Sequence, residues 1–160
     1  MKTKFLSNIL LMLIWVFLSG EYNFNNFIFG FGLSFIILWI ISGNEEKASK
    51  KYFKIVPKII SFVLFFFWEL TKANIQVAFE VSTPNLNMKP GIVGLPLDAK
   101  TDLEITLLAN LITLTPGTLA LDVSTDRSVL YIHAMYVVDK KDFIEDIKQG
   151  FEKRLLEILR

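Results

Sequence analysis

The chain has 160 residues, room for one ordinary domain or for a few membrane helices with a small soluble domain. Its hydrophobic fraction of 52%, its mean hydropathy of +0.46 and the presence of a single charge, Glu21, between Phe5 and Ser42 exclude a plain soluble globule. The formal charge of +1 joins a basic half (9 Lys/Arg against 5 Asp/Glu in residues 1–90) to an acidic one (8 against 11 in 91–160), with no basic face for nucleic acid, and zero Cys with one His excludes disulfides, thiolate metal sites and multi-histidine centres.

Three apolar segments fill residues 1–81. The first, 5–19, follows Lys2 and Lys4 and has the outline of a signal peptide, but Phe17 and Leu18 stand where a cleavage site wants small residues, so it is read as retained. The second, 24–42, is uncharged, and at about 1.5 Å per residue it nearly spans the ~30 Å of a bilayer core. Its Gly30 and Gly32 allow a close helix contact. The third, 55–81, is apolar from Ile55 to Leu70 except for Lys58 and Glu69, then continues as an amphipathic helix, with Pro57 expected in its first turn. Glu69 and Lys72 are spaced for an i,i+3 ion pair. They are read as residues at the membrane boundary, with a proton path as the less favoured alternative.

Lysines precede segment one and crowd the linker between segments two and three (Lys47, Lys50, Lys51, Lys54), so the positive-inside rule puts both on the cytoplasmic side. Two placements of segment three follow. A full crossing sends the rest of the chain outside; a helix dipping into the inner leaflet leaves it inside.

Residues 82–91, with two prolines, form a linker. Beyond it, 92–160 reads as a small α+β domain of order β-α-β-β-α. Ile92 to Leu97 is a short strand; Thr101 with Glu104 makes a capping box for an apolar helix; Thr115-Pro116-Gly117-Thr118 stops that helix. Leu119–Val123 and Val129–Val138 are strands joined by a polar turn at Ser124–Ser128. Asp139 or Asp142 caps a last helix whose stripe is Phe143, Ile147, Phe151, Leu155 and Ile158, with Lys141/Glu145 and Lys148/Glu152 on its wet side. A right-handed crossover makes the first two strands parallel and the hairpin adds the third antiparallel, giving a three-stranded mixed sheet. A rival reading takes Ile105–Leu121 as a further span, but Asn110, four threonines and the Pro-Gly break make it a poor one.

No enzyme site assembles. His133 has no nucleophile or carboxylate partner in the pattern and is read as structural; Asp98, Asp102 and Glu104 suit a helix start rather than a metal. No cofactor is expected.

The run Leu107–Thr118 (LLANLITLTPGT), then Leu121-Asp122-Val123-Ser124 and Leu130–Ala134, together with Glu69–Asn74, resembles the E-type subunit of the Mrp-type multisubunit Na+/H+ antiporters. The resemblance spans nearly the whole chain. It implies an accessory subunit supporting assembly and activity of a proton-driven cation antiporter in a bacterial inner membrane, with the other subunits and the bilayer as its partners and the C-terminal domain cytoplasmic. That favours the inner-leaflet placement of segment three. Asn110 and the breaker Thr115, Pro116, Gly117 and Thr118 become candidates for a shaped subunit interface, beside their plain role as helix terminator and turn. The alternative function is a stand-alone membrane-anchored binding or scaffold module.

Overall fold

The structure, a computed structural model, describes residues 2–42, 47–83 and 88–160, and its packing divides the chain into two compact units, Met1–Pro57 and Lys58–Arg160. Residues 84–87 of the expected linker lie outside the described residues.

In the first unit, α1 (Lys2–Ser19) and α2 (Phe24–Ile41) form an antiparallel hairpin. Gly20, at φ +68, turns the chain in a conformation that a side chain would strain. Asn23 caps α2 by accepting from the Asn26 amide, and the Asn26 side chain closes the corner, donating to Ser19 Oγ and the Glu21 carbonyl at 2.7 Å each and accepting from Trp15 Nε1 at 2.9 Å. Gly30 permits the close helix contact expected of it, since a Cβ there would stand 3.0 Å from Trp15 Cδ1 and 3.4 Å from the Met12 carbonyl. Gly32 faces open space. Among the described residues α2 is the one helix long and apolar enough to cross a bilayer, and α1 is a shorter apolar helix. Both turn large side chains outward, Leu18 at 80% and Phe24 at 78% exposure among them, a surface suited to lipid or protein rather than water.

The third helix, α3 (Lys47–Ser82), begins eight residues before the expected 55, so Pro57 sits inside it rather than in its first turn. The proline ring leaves the Phe53 carbonyl without its i+4 donor. The boundary between the two packing units falls at this residue, whereas composition alone draws the boundary at the linker. Before it, Tyr52 is buried in the first unit and its hydroxyl accepts from the wholly buried Asn8 side chain at 2.7 Å. After it, Phe62, Phe65 and Phe66 pack on the core of the second unit.

That second unit has the expected class: a small α+β domain of order β1 (Gly91–Pro96), α4 (Asp102–Leu114), β2 (Thr118–Val123), β3 (Val129–Ala134) and a final helix. The capping box at Thr101 and Glu104 is present in both directions. Helix α4 ends at Leu114 and a strand follows, so Ile105–Leu121 is no single span. The strands β1 and β2 run the same way, as a right-handed crossover expects, but β3 lies between them and pairs antiparallel with each. The sheet is therefore antiparallel throughout rather than mixed. Strand β3 also stops at Ala134 instead of Val138, because the chain bends to exchange bonds elsewhere: Met135 N donates to the Gly117 carbonyl and Val137 N to that of Lys89. The inner face of the sheet supplies Leu95, Leu130 and Ile132 to a core closed by Leu108 and Ile112 of α4, all at most 1% exposed.

The final helix differs from expectation at its middle. Asp139 is the cap, accepting from Lys141 N and Asp142 N, and α5 (Lys140–Ile147) leads into a π segment (Lys148–Glu152) before α6 (Lys153–Leu159). The wider turn, closed by Lys153 N on the Lys148 carbonyl, rotates Glu152 off the wet side and into the domain, where it is 1% exposed. Lys148 and Glu152 do pair, at 3.1 Å, but as an inward clamp.

Candidate interaction cleft

A cleft of about 510 Å³ opens in the second unit between α3, the turn after α4 and the π segment. The α3 wall is Phe65, Glu69, Lys72, Ala73 and Gln76, one helical face. The turn supplies Thr115, Pro116, Gly117 and Thr118; the last helix supplies Phe143, Asp146, Gly150 and Arg154. Two groups that the sequence left far apart, the Glu69/Lys72 pair and the Thr-Pro-Gly-Thr breaker, thus line one cavity. Asn110 does not. It lies exposed on α4, in a stripe with Leu103, Leu107 and Leu114.

The expected ion pair forms, Lys72 Nζ to Glu69 Oε1 at 2.8 Å. The turn is built largely by its hydroxyls. Thr115 Oγ1 and Thr118 Oγ1 both donate to the Ile112 carbonyl, at 2.7 and 2.6 Å, beside the Thr115 amide at 3.2 Å. Gly117, at φ +88, needs to be glycine.

Two features hold the walls together. A Cβ on Gly150 would come 3.0 Å from Phe65 Cζ, so the glycine lets the last helix approach α3, and Phe65 is gripped by Phe151 (ring centres 5.4 Å apart) and by the Arg154 guanidinium, 4.6 Å from its ring centre. Glu152 accepts from the amides of Asp98 at 2.6 Å and Ala99 at 2.9 Å, tying the π segment to the chain after β1. Burial pulls the Lys148 ammonium down, but hydrogen bonds to Asp98 and Glu152 outweigh it and leave the group above its ordinary value. Tyr136 stands at the cleft with its hydroxyl buried, and among the described residues neither it nor Glu80 Oε1 has a hydrogen-bond partner; burial, then the Glu80 charge, pushes the phenol up.

The carboxylates at the start of α4 are each engaged by a cation: Asp98 by Lys148 at 2.6 Å, Asp102 by Arg127 at 2.8 Å and Glu104 by Arg160 at 3.0 Å. His133 lies half-buried on the outer sheet face, in register with Ile92 and Leu119. Among the described residues no group of three metal-ligating side chains stands together. The cleft thus joins buried apolar residues, Ile112, Ala134 and Phe151, to charged side chains of both signs.

A small α+β domain tied through a long helix to an apolar helical hairpin defines a membrane-associated interaction protein. The chain belongs to the MNHE family of Na+/H+ ion antiporter subunits, whose model matches residues 8–158. It is 42% identical over 160 residues to the E1 subunit of the Na+/H+ antiporter of Staphylococcus haemolyticus, covering 99% of this chain and 98% of that one. It is 39% identical over 160 residues to the corresponding E-type Na+/H+ antiporter subunit of Bacillus subtilis, covering all of both. Of solved structures, a chain of the Mrp complex from Dietzia sp. DQ12-45-1b is similar at TM-score 0.50 and 33% identity, over 64% of this chain and 96% of that one. A chain of an archaeal respiratory membrane complex, the membrane-bound sulfane sulfur reductase, is similar at TM-score 0.56 and 29% identity, over 97% and 98%.

Sequence reasoning missed Phe65, Asp146, Gly150 and Arg154 as cleft residues. The available signal was Gly150, an unfavourable residue inside an otherwise regular helical pattern.

Proposed function

We propose that the chain is an accessory subunit of a bacterial multisubunit Na+/H+ antiporter, supporting assembly and activity of the complex while performing no chemical step itself. The family match over residues 8–158 carries this reading. The surface of α4 supports it: Leu103, Leu107, Asn110 and Leu114 recur at helical spacing, and Leu103 and Leu114 are each 62% exposed. A domain of about 70 residues has little apolar area to leave in water, so a partner subunit covers this stripe. Asn110 at its centre supplies the polar contact that fixes register, and Thr115–Thr118 shape the neighbouring rim.

In this reading α1 and α2 cross the inner membrane as a hairpin with both ends cytoplasmic, in keeping with Lys2, Lys4 and the lysines at 47–54. Helix α3 dips into the inner leaflet and the domain from 92 onward is cytoplasmic. Cysteines placed singly at Ser124 and Tyr22 test this. An impermeant maleimide applied to intact spheroplasts should label the second and spare the first. Labelling of Ser124→Cys from outside overturns the topology.

A further inference from the structure

We propose that the cleft receives the headgroup of a zwitterionic phospholipid, the phosphate held by Arg154 and Lys72 and the ammonium by Glu69 and Asp146, with the acyl chains running over the neighbouring face of α3. The inference rests on the inner-leaflet placement of α3. Arg154 is the first observation. Its guanidinium lies 4.6 Å from the Phe65 ring centre and makes no hydrogen bond or ion pair among the described residues, leaving a fork of donors at the cleft. The charges of the cleft are the second. Two cations and two carboxylates line one cavity, matching a headgroup that itself carries one charge of each sign. The third is the apolar surface beside it. Leu64 and Trp68 are 65% and 64% exposed on the face of α3 next to the cleft wall, and Trp68 stands one turn before Lys72. An exposed tryptophan next to a lysine is the arrangement found where a helix meets the headgroup layer. The cleft volume of about 510 Å³ lies in the range of small-molecule sites. Acyl chains resting on Leu64 and Trp68 distinguish a lipid from a soluble zwitterion.

The test reconstitutes the purified membrane complex, with this chain at full length, into nanodiscs of phosphatidylcholine containing phosphatidylethanolamine with a photoreactive group near the headgroup, and maps the labelled peptides. Label is expected on the peptide around Glu69–Gln76 and also on that around Asp146–Arg154. Lys72→Gln with Arg154→Gln should reduce it at least about tenfold, since both charge-assisted contacts to the phosphate are lost, while Arg154→Lys alone keeps most of it. Lys58→Gln, on the same helix but paired with Glu157, should leave it unchanged. An unchanged unfolding midpoint confirms that the variants are folded; should Arg154→Gln fail this, Lys72→Gln with Asp146→Asn serves instead. Label on α3 alone, equal label in the double variant, or full competition by soluble glycerophosphoethanolamine each overturns the proposal. Copurification of the other subunits reads the subunit assignment separately.

Discussion

Phe65 sits against Gly150 so closely that a methyl group on the glycine would stand 3.0 Å from the ring's Cζ. The ring has little room to retreat, because Phe151 packs edge-on to it and Arg154 lies over it. This contact joins α3 to the last helix and sets the width of the cleft. Gly150→Val should therefore destabilise the protein by about 1–3 kcal/mol, the usual cost of overpacking. Thermal unfolding of the full-length protein in detergent reads it, and Phe65→Ala combined with Gly150→Val should cost less than the two changes summed. Additive effects would show that the two residues do not press on each other.

Glu152 presents a second test. Its carboxylate answers two backbone amides and the Lys148 ammonium from a site that is 1% exposed. Glu152→Ala leaves the amides of Asp98 and Ala99 without an acceptor and Lys148 with Asp98 alone, and should cost about 3–5 kcal/mol, the scale for breaking a buried pair from one side. Glu145→Ala, whose carboxylate accepts from an exposed Gln149 amide, should cost less than about 0.5 kcal/mol. Equal effects in the unfolding midpoint would contradict the inward clamp.

Acid stability follows from Glu104. A hydrogen bond from Arg160, then the amides of Lys100 and Thr101, lower its pKa from 4.5 to about 2. Because the folded value lies below the unfolded one, the group stabilises the fold fully above pH 4.5, and this contribution fades as the pH falls toward about 2. Hydroxyls of Ser124 and Ser128 lower Asp126 to about 2 in the same sense. Glu104→Gln should flatten the decline of the unfolding midpoint across that window. Parallel curves for the variant and the parent protein would refute the assignment.

The stripe on α4 makes the prediction closest to function. Asn110→Arg with Leu114→Glu places two charges on a surface held to be covered by a partner, while the buried side of the helix, Ile105, Leu108 and Ile112, is untouched. The variant should keep its unfolding midpoint and lose recovery of the other subunits by at least about tenfold in an affinity purification, as two opposite charges one turn apart must both be taken out of water for the partner to dock. Recovery equal to that of the parent would remove α4 from the interface.

How much of this was legible in sequence depends on the range of the interaction responsible. The capping box at Thr101 and Glu104 and the stop at Thr115–Thr118 are written within a few consecutive residues, and both stand in the structure. Strand alternation gave β1, β2 and β3 and their directions. It could not give their order, since hydrophobic pattern and crossover handedness say nothing about which strand occupies the middle. The π segment was invisible for the same reason: Glu152 turns inward to meet amides at Asp98 and Ala99, more than fifty residues away, while its spacing from Lys148 looks like an ordinary surface pair. Pro57 misled because proline suits a first turn, and the lysines before it carried no sign that the helix had begun. The cleft combines these failures, since three of its walls come from segments that only the fold brings together.

The central claim is that this chain works as a subunit, and the most direct measurement deletes its gene in a host that carries the remaining antiporter genes. Na+/H+ exchange is then followed in everted membrane vesicles together with the amounts of the other subunits. Exchange should fall and the remaining subunits should no longer purify as one complex, with both restored by the parent chain but not by the Asn110→Arg, Leu114→Glu variant. Undiminished exchange from an intact complex lacking this chain would contradict it.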